Sequence, residues 1–238
     1  MRFIQSVPFT LLIFPAVALA DITEQSMLAD CAKIPAYASK GKSYYNAKNY
    51  PLARQAFEEQ VRWSEGCLLS ERAIATAYNN VALTLMRQGE WRKARAWLML
   101  RPEDARSVYN LGLIKDKLAA LPKPVSASGE YWSYAGLASW QTISIKPWQK
   151  KSDYYIDFSG YSFGAMGLYY GPNTGDFSEK VTFKNNKGVI TLKEEGIDIR
   201  CDISLVISPE SIDVTTDVPD NCGFGHNVSA DGYYWRVE

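Results

Sequence analysis

The sequence predicts a two-domain α+β protein with a helical N-terminal half and an all-β C-terminal half. Apolar residues recur at helical spacing up to about Ala120, and after that point they alternate with a period of two. Between the two patterns, residues 122–129 are rich in proline, serine and glycine, which is typical of a linker. We therefore expect a helical domain over residues 21–121 and a β domain over residues 130–238.

The composition of the two halves also supports a boundary. Residues 21–125 contain 16 basic and 11 acidic side chains, whereas residues 126–238 contain 9 and 15. Aromatic residues are skewed as well, with 10 in the first half and 18 in the second. The opposite net charges favour contact between the halves. The basic excess is small and forms no stripe with aromatics, so no nucleic-acid partner is predicted.

The first twenty residues resemble a secretory signal. Arg2 gives a short positive start, Val7 to Ala20 is almost wholly apolar, and Ala18-Leu19-Ala20 is a small-x-small cleavage site. A membrane anchor is the alternative, but a spanning helix needs ~20 apolar residues and this shorter run contains Pro8 and Pro15. We therefore predict a periplasmic or secreted protein whose mature chain has no transmembrane segment.

The four cysteines of an exported chain predict disulfides. They allow three connectivities, of which we favour Cys31–Cys67 and Cys201–Cys222, one in each half. Free thiols or a zinc site are the alternatives. No C-x-x-C pair occurs and His226 is the only histidine, so neither a metal site nor a cofactor is predicted.

The N-terminal half begins with a predicted helical hairpin. Residues 35–48 form the first helix, Asn49-Tyr50-Pro51 the turn, and a second helix ends near Gly66, with Pro51 in its first turn. Cys31 and Cys67 each lie eighteen residues from Asn49. Residues equally far from the turn of an antiparallel hairpin lie side by side, so a disulfide between these two would close its open end.

A similar unit follows, with predicted helices over residues 75–88 and 92–100, and another helix runs from residue 102 to Ala120. Bulky and small residues recur in corresponding places of the three units: Tyr37, Gly41, Tyr44, Tyr50, Ala53 and Phe57; Tyr78, Val81, Ala82, Leu85, Gly89, Trp91, Ala94 and Leu98; Val108, Leu111 and Gly112. These residues resemble the tetratricopeptide repeat over residues 35–120.

The chain departs from that family in its spacing. The units start near Ile34, Ala75 and Ala105, spacings of 41 and 30, where the family keeps about 34. Lys40 and Gln60 replace expected small or apolar residues, and the closing proline of the first unit is absent. An irregular helical bundle is the alternative.

The resemblance implies a concave face that binds a peptide or a protein. The helical stripe expected on that face contains Ala38, Lys42, Tyr45, Thr76, Asn79, Leu83, Met86, Arg106, Tyr109 and Leu113. From it we take Lys42, Tyr45, Asn79, Leu83, Arg106 and Tyr109 as the candidate groove. Lys42, Asn79 and Arg106 would hold a carboxylate or backbone carbonyls. The alternative for each of them is a solvated helix face.

The C-terminal half is predicted to form an antiparallel barrel or sandwich, because its strands follow closely with turns between them. The predicted strands are Trp140–Lys146, Tyr154–Ser159, Phe163–Tyr170, Ser178–Lys184, Gly188–Lys193, Ile197–Ile207, Ser211–Thr215 and Tyr233–Val237. Cys222 falls in a glycine-rich turn, which a bond to Cys201 would pin to the sheet. Adjacent aromatics such as Tyr154 and Tyr155 should face opposite sides, one in the core and one outside, where it could stack on sugar or anchor a partner.

Residues for enzyme chemistry are not evident. The single imidazole, His226, lies beside a cysteine that we expect to be oxidised, and no G-x-S-x-G elbow occurs. Glu194 and Glu195 are adjacent on a strand, so they would point to opposite faces and not across one cleft. We predict a non-enzymatic exported adaptor that binds another protein or peptide of the cell envelope through the candidate groove and a surface of the β domain. The alternatives are an inhibitor or immunity protein against a cell-wall hydrolase or toxin, and, third, a carbohydrate-active enzyme.

Overall fold

We describe the chain with a computed structural model covering residues 23–150, 152–194, 196 and 199–238. The predicted signal segment, residues 1–20, and Glu195 lie outside the described residues. Six helices form the N-terminal half of this part of the chain: α1 Glu24–Cys31, α2 Ile34–Asn46, α3 Tyr50–Gly66, α4 Glu71–Gln88, α5 Trp91–Leu98 and α6 Ala105–Ala119. None of the described helices is long and apolar enough to cross a bilayer.

The helix ends follow from local capping. The Asn49 side chain accepts a hydrogen bond from the Leu52 amide at 3.4 Å, and Pro51 lies in the first turn of α3. Ser70 caps α4 in the same way, and Gly89 ends α4 in the left-handed conformation, with φ of 80°. The predicted turns at Asn49 and Gly89 are therefore confirmed.

The helices pack as consecutive antiparallel pairs around one apolar core. Gly41 of α2 is essential to the first pair, because a Cβ there would lie 2.4 Å from the Phe57 ring. The remaining core side chains come mainly from α3, α4 and α5: Ala53, Val61, Tyr78, Val81, Ala82, Leu85, Ala94, Trp97, Leu98, with Ile114 from α6. The Cys31–Cys67 disulfide closes the open end of the first hairpin, as predicted, with the two Cα atoms 5.9 Å apart.

The C-terminal half is an eight-stranded antiparallel sheet that curls into a nearly closed barrel. Its strands are β1 Gly129–Gly136, β2 Ser139–Pro147, β3 Asp153–Ser162, β4 Asn173–Thr182, β5 Lys187–Glu194, β6 Ile199–Ser208, β7 Ser211–Thr216 and β8 Gly232–Arg236. The hydrogen-bonded order is β4-β3-β2-β1-β8-β7-β6-β5. The predicted α+β two-domain class is thus confirmed, and the barrel is the correct alternative for the second half.

One predicted strand is wrong, and one observed strand is missing from the prediction. Residues 163–170 do not form a strand: Gly167–Tyr170 is a single helical turn, α7. Leu168 packs against Gly66, and the Tyr169 ring lies 6.0 Å from that of Trp63, so α3 overrides the local strand propensity. Strand β1, in contrast, was not predicted, because its contiguous aromatics Tyr131 and Trp132 hide the alternation.

Side chains fill the barrel interior. Large buried residues include Tyr131, Ile143, Ile156, Phe158, Ile203, Leu205, Ile212 and Tyr234. Strand β3 alternates buried and partly exposed positions, so Tyr154 points inward and Tyr155 outward, as predicted. The predicted Cys201–Cys222 disulfide is present, with Cα atoms 5.1 Å apart, and it holds the loop between β7 and β8 against β6.

The two halves pack together through an aromatic cluster. The Trp97 ring of α5 lies 5.2 Å from Trp140 and 5.9 Å from Tyr134, both of the β half. The Glu65 carboxylate of α3 accepts hydrogen bonds from the Tyr134 hydroxyl and, at 2.5 Å, from the Leu137 amide. The linker therefore joins two domains that share an interface.

Opposite charges border this interface. Arg95 of α5 pairs with Glu210 at 2.9 Å, Arg92 reaches the same carboxylate at 3.4 Å, and Lys93 pairs with Glu238 at 2.7 Å. The basic helical half thus contacts the acidic β half, in agreement with the contact that their net charges favour.

Candidate protein-binding groove

A groove runs between α2 and α4, on the face that the sequence stripe indicated. It encloses about 410 Å³ and is lined by Ala38, Ser39, Lys42, Tyr45, Asn46, Phe57, Asn80 and Leu83. Phe57 belongs to α3, and it reaches the groove floor because Gly41 leaves its ring room beside α2. Of the predicted site residues, Lys42, Tyr45 and Leu83 meet here.

The groove is apolar inside and cationic at its edge. Its lining contains no aspartate or glutamate. Arg87, one turn after Leu83, donates a hydrogen bond from Nε to the Tyr45 hydroxyl at 2.8 Å, and its guanidinium lies 5.8 Å from the centre of that ring. The hydrogen bond to Tyr45 raises the pKa of Arg87. Tyr45 is therefore fixed between the groove and a permanent positive charge.

The cations at this edge carry uncompensated charge. Among the ion pairs of the described residues, none includes Lys42 or Arg87. Both side chains are exposed. An acidic group of a bound segment could thus pair with either cation without first displacing a carboxylate of this chain.

Asn79 is not part of the groove surface. It is only 3% exposed and lies between α4 and α6. Its amide nitrogen donates to the Ala75 carbonyl at 2.9 Å and to Ser107 Oγ at 3.0 Å, while its oxygen accepts from Asn110 at 2.8 Å. With these bonds made inside the helix interface, Asn79 has a structural role and does not face the groove, contrary to our expectation.

Arg106 is also committed to the fold. Its guanidinium pairs with Asp104 at 2.7 Å and donates to the Thr76 hydroxyl and, at 3.1 Å, to the Arg72 carbonyl. The side-chain hydrogen bonds that Asp104 accepts from Arg106 lower the pKa of Asp104 to about 2. Arg106 therefore lacks the free charge that the carboxylate-binding hypothesis required.

Tyr109 lies on a separate surface. On α6, Tyr109 is 67% exposed and its neighbours Val108 and Leu113 are also exposed. None of the three lines the groove between α2 and α4. The predicted site thus divides into three groove residues, two structural residues and one exposed residue of α6.

Sequence reasoning missed Asn80 and Arg87. Asn80, Leu83 and Arg87 form an i, i+3, i+7 stripe on α4, one residue away from the stripe that contains Asn79 and Met86. Leu83 belongs to both stripes, so periodicity alone does not choose between them. Arg87 ends the stripe that begins at Asn80, and its positive charge was the feature of the sequence that could have identified this stripe as the groove face.

The groove lining contains no histidine, cysteine, aspartate or glutamate. No cluster of three or more histidine, cysteine, aspartate or glutamate side chains with metal-binding geometry occurs within the described ranges. His226 lies exposed in the loop before β8, and all four cysteines are in disulfides.

Comparison with known proteins gives no relative: no family model, curated protein or solved structure matches the chain. The resemblance to the tetratricopeptide repeat accordingly stays a prediction based on its residues.

Proposed function

We propose that the chain is an exported adaptor that binds a segment of another protein in the groove between α2 and α4. The observation that carries this proposal is the apolar floor of Phe57 and Leu83 beside two unpaired cations, Lys42 and Arg87. An extended or helical segment with one apolar anchor next to an acidic side chain or a terminal carboxylate complements both features.

Export is supported by two independent features. The first is the predicted signal over residues 1–20. The second is the pair of disulfides, Cys31–Cys67 and Cys201–Cys222, which persist in oxidising compartments. We propose a periplasmic or secreted location, where the partner would be another protein of the cell envelope.

The β half would add a second contact surface. Trp148, which follows β2, is 45% exposed, its ring lies 6.0 Å from Tyr155, and Lys180 stands 4.7 Å from its centre. Exposed aromatics of this kind anchor protein partners. The barrel would then orient the groove as well as contribute contacts of its own.

A displayed random peptide library, selected on the purified full-length chain, tests the proposal directly. We expect enriched peptides to share an aspartate or glutamate within a few positions of a large apolar residue. Replacing both Lys42 and Arg87 by glutamate should weaken the binding of a selected peptide by about a hundredfold, because two favourable charge contacts become repulsive.

The matched control replaces Lys115 and Lys117, two exposed lysines of α6, by glutamate. It makes the same change in net charge away from the groove, and binding of the peptide should stay within about twofold of the wild type. Equal losses in the two double variants would indicate only a net-charge effect, and the groove proposal would be wrong. The same variants serve as controls when the partner is recovered from an exported-protein fraction. A structural protein of the envelope would support an adaptor, whereas a hydrolase would support an inhibitor.

A further inference from the structure

The barrel has an open end beside the linker, remote in sequence from the groove. A cavity of about 520 Å³ lies there between the linker, the start of β3 and the turns that follow β4 and β6. Its lining is Pro124, Val125, Ser126, Ala127, Ser152, Tyr154, Phe183, Asn185, Asn186, Ile207, Ser208, Pro209 and Arg236. Its volume is within the range of small-molecule sites, about 300–1,000 Å³.

One wall of this cavity is fixed by Arg236. This residue is 3% exposed, and its guanidinium donates to the carbonyls of Pro209 at 2.8 Å, Ser128 at 2.5 Å and Ser126 at 3.0 Å. These bonds attach the linker to the last strand across the barrel end. The wall is thus formed before any ligand arrives.

The opposite wall is the turn between β4 and β5. Asn185 and Asn186 both have positive φ, 50° and 63°, as a tight two-residue hairpin requires. The Asn186 carbonyl accepts a hydrogen bond from the Ile207 amide at 2.8 Å. The turn is therefore held against the end of β6, where β4 and β5 share no ladder.

Two polar groups at this cavity retain unused hydrogen-bonding capacity. The Tyr154 side chain is 7% exposed and lines the cavity, and its hydroxyl, which solvent reaches, hydrogen-bonds to none of the described residues. Arg236 bonds only to main-chain oxygens, the fourth being that of Glu238 at 3.4 Å, which leaves one of its five N–H groups free. No described side-chain carboxylate forms an ion pair with Arg236.

Three lysines adjoin the cavity lining in sequence, although the β half is acidic overall. Lys184 and Lys187 flank the asparagine turn, and Lys123 precedes the linker wall. None of these lysines forms an ion pair within the described part of the chain. The nearby Glu210 carboxylate is already paired with Arg95 at 2.9 Å.

The lining also contains apolar side chains among its serines and asparagines. Val125 is 99% exposed at the mouth, and Phe183 and Ile207 are partly buried against the barrel core. We propose that this cavity binds a small organic anion with an apolar body. Its anionic group would lie toward Tyr154 and Arg236, and its body would cover Val125, Phe183 and Ile207.

A pair of fluorescent probes tests the proposal on the full-length protein. Anilinonaphthalene sulfonate carries an anionic group on an aromatic body, and N-phenyl-1-naphthylamine is nearly the same molecule without the charge. We expect the sulfonate to bind at one site per chain, about tenfold or more tighter than the neutral probe. Tyr154→Phe, which removes one donor only, should weaken the sulfonate by about two- to tenfold.

Val125→Asp places a negative charge at the mouth on a fully exposed position and should weaken the sulfonate by about fivefold or more. The matched control is Val218→Asp, the same change at a valine that is 47% exposed in the loop between β7 and β8, and it should leave the affinity unchanged. Equal affinity for both probes, or no effect of Val125→Asp, would overturn the proposal. If Lys42→Glu abolishes sulfonate binding and Val125→Asp does not change it, the probe binds in the helical groove. That outcome would also overturn the proposal.

Discussion

Phe224, in the loop before β8, packs against Phe158 of β3 with ring centroids 5.5 Å apart. The contact crosses the seam where β4 and β5 share no hydrogen-bond ladder. Gly175 of β4 makes it possible, because a Cβ there would lie 2.7 Å from that of Phe224. The Gly225 amide also donates to the Thr174 carbonyl at 2.9 Å. The loop thus closes the barrel where the sheet does not.

We expect Phe224→Ala to lower the free energy of unfolding of the β half by about 2–3 kcal/mol, because it removes a partly buried aromatic from the seam. Urea unfolding followed by circular dichroism measures this. Tyr170→Ala, at an aromatic that is 77% exposed, is the control and should change stability by about 0.5 kcal/mol or less. Equal effects of the two changes would show that the seam does not depend on Phe224.

The Cys201–Cys222 disulfide should hold the same loop. Replacing both cysteines by serine should cost about 3 kcal/mol, since the bond closes a loop of 21 residues. Amide hydrogen exchange should show that residues 217–231 lose protection while the helical core of the chain keeps it. Uniform loss of protection in both halves would contradict a local role for this disulfide.

The carboxylate of Glu65 should stabilise the interface between the halves. It accepts hydrogen bonds from Tyr78 at 2.7 Å and from Tyr134. Burial, together with the nearby Glu65 charge, raises the pKa of both tyrosines, so both stay protonated donors. Glu65→Ala leaves these donors without a partner and should cost about 2–4 kcal/mol in thermal or urea unfolding.

Two comparisons make that test specific. Glu65→Gln keeps an acceptor oxygen, so its cost should be clearly smaller than that of Glu65→Ala. Glu59→Ala removes a partly exposed carboxylate that pairs with Arg62 on the same helix and should cost about 0.5 kcal/mol. If Glu65→Ala costs no more than Glu59→Ala, the carboxylate does not support the interface.

Local patterns explain which parts of this fold were predictable. The Cys31–Cys67 pairing follows from one hairpin whose turn, Asn49-Tyr50-Pro51, is visible in the sequence. The pairing of Cys201 with Cys222 could be chosen because each half holds two cysteines. Both inferences use short-range information, which a single sequence contains.

The parts of the fold and of the site that the sequence did not predict depend on contacts between distant elements. The position of Asn79 depends on how closely α6 approaches α4 at Ser107, and helical periodicity does not determine this distance. In the same way, residues 163–170 leave the sheet because Leu168 and Tyr169 find partners on α3. The groove was therefore predicted at Lys42, Tyr45 and Leu83, and was misplaced at Asn79 of the second unit and at Arg106 and Tyr109 of the third.

Asp104 should make stability depend on pH in the acid range. Hydrogen bonds from Arg106 lower its pKa from 3.8 to about 2. A carboxyl group with a depressed folded-state pKa stabilises the fold above its unfolded-state pKa, about 3.9, and this contribution is lost as the pH falls through the folded value.

Asp104 is the N-cap residue of α6, where its side chain accepts a hydrogen bond from the Arg106 amide at 2.9 Å. Asp104→Asn keeps an acceptor oxygen at this position and removes the charge. We expect it to lower the free energy of unfolding by about 1 kcal/mol at pH 7. This value allows for solvent screening, because the Asp104–Arg106 pair is partly exposed. The difference from the wild type should shrink between pH 4 and pH 2, because the wild-type carboxyl is then increasingly protonated in both states. Urea unfolding at several pH values measures this, and Asp116→Asn, an exposed residue of the same helix, is the control. A loss that is constant from pH 7 to pH 2 would mean that the capping geometry and not the charge of Asp104 matters.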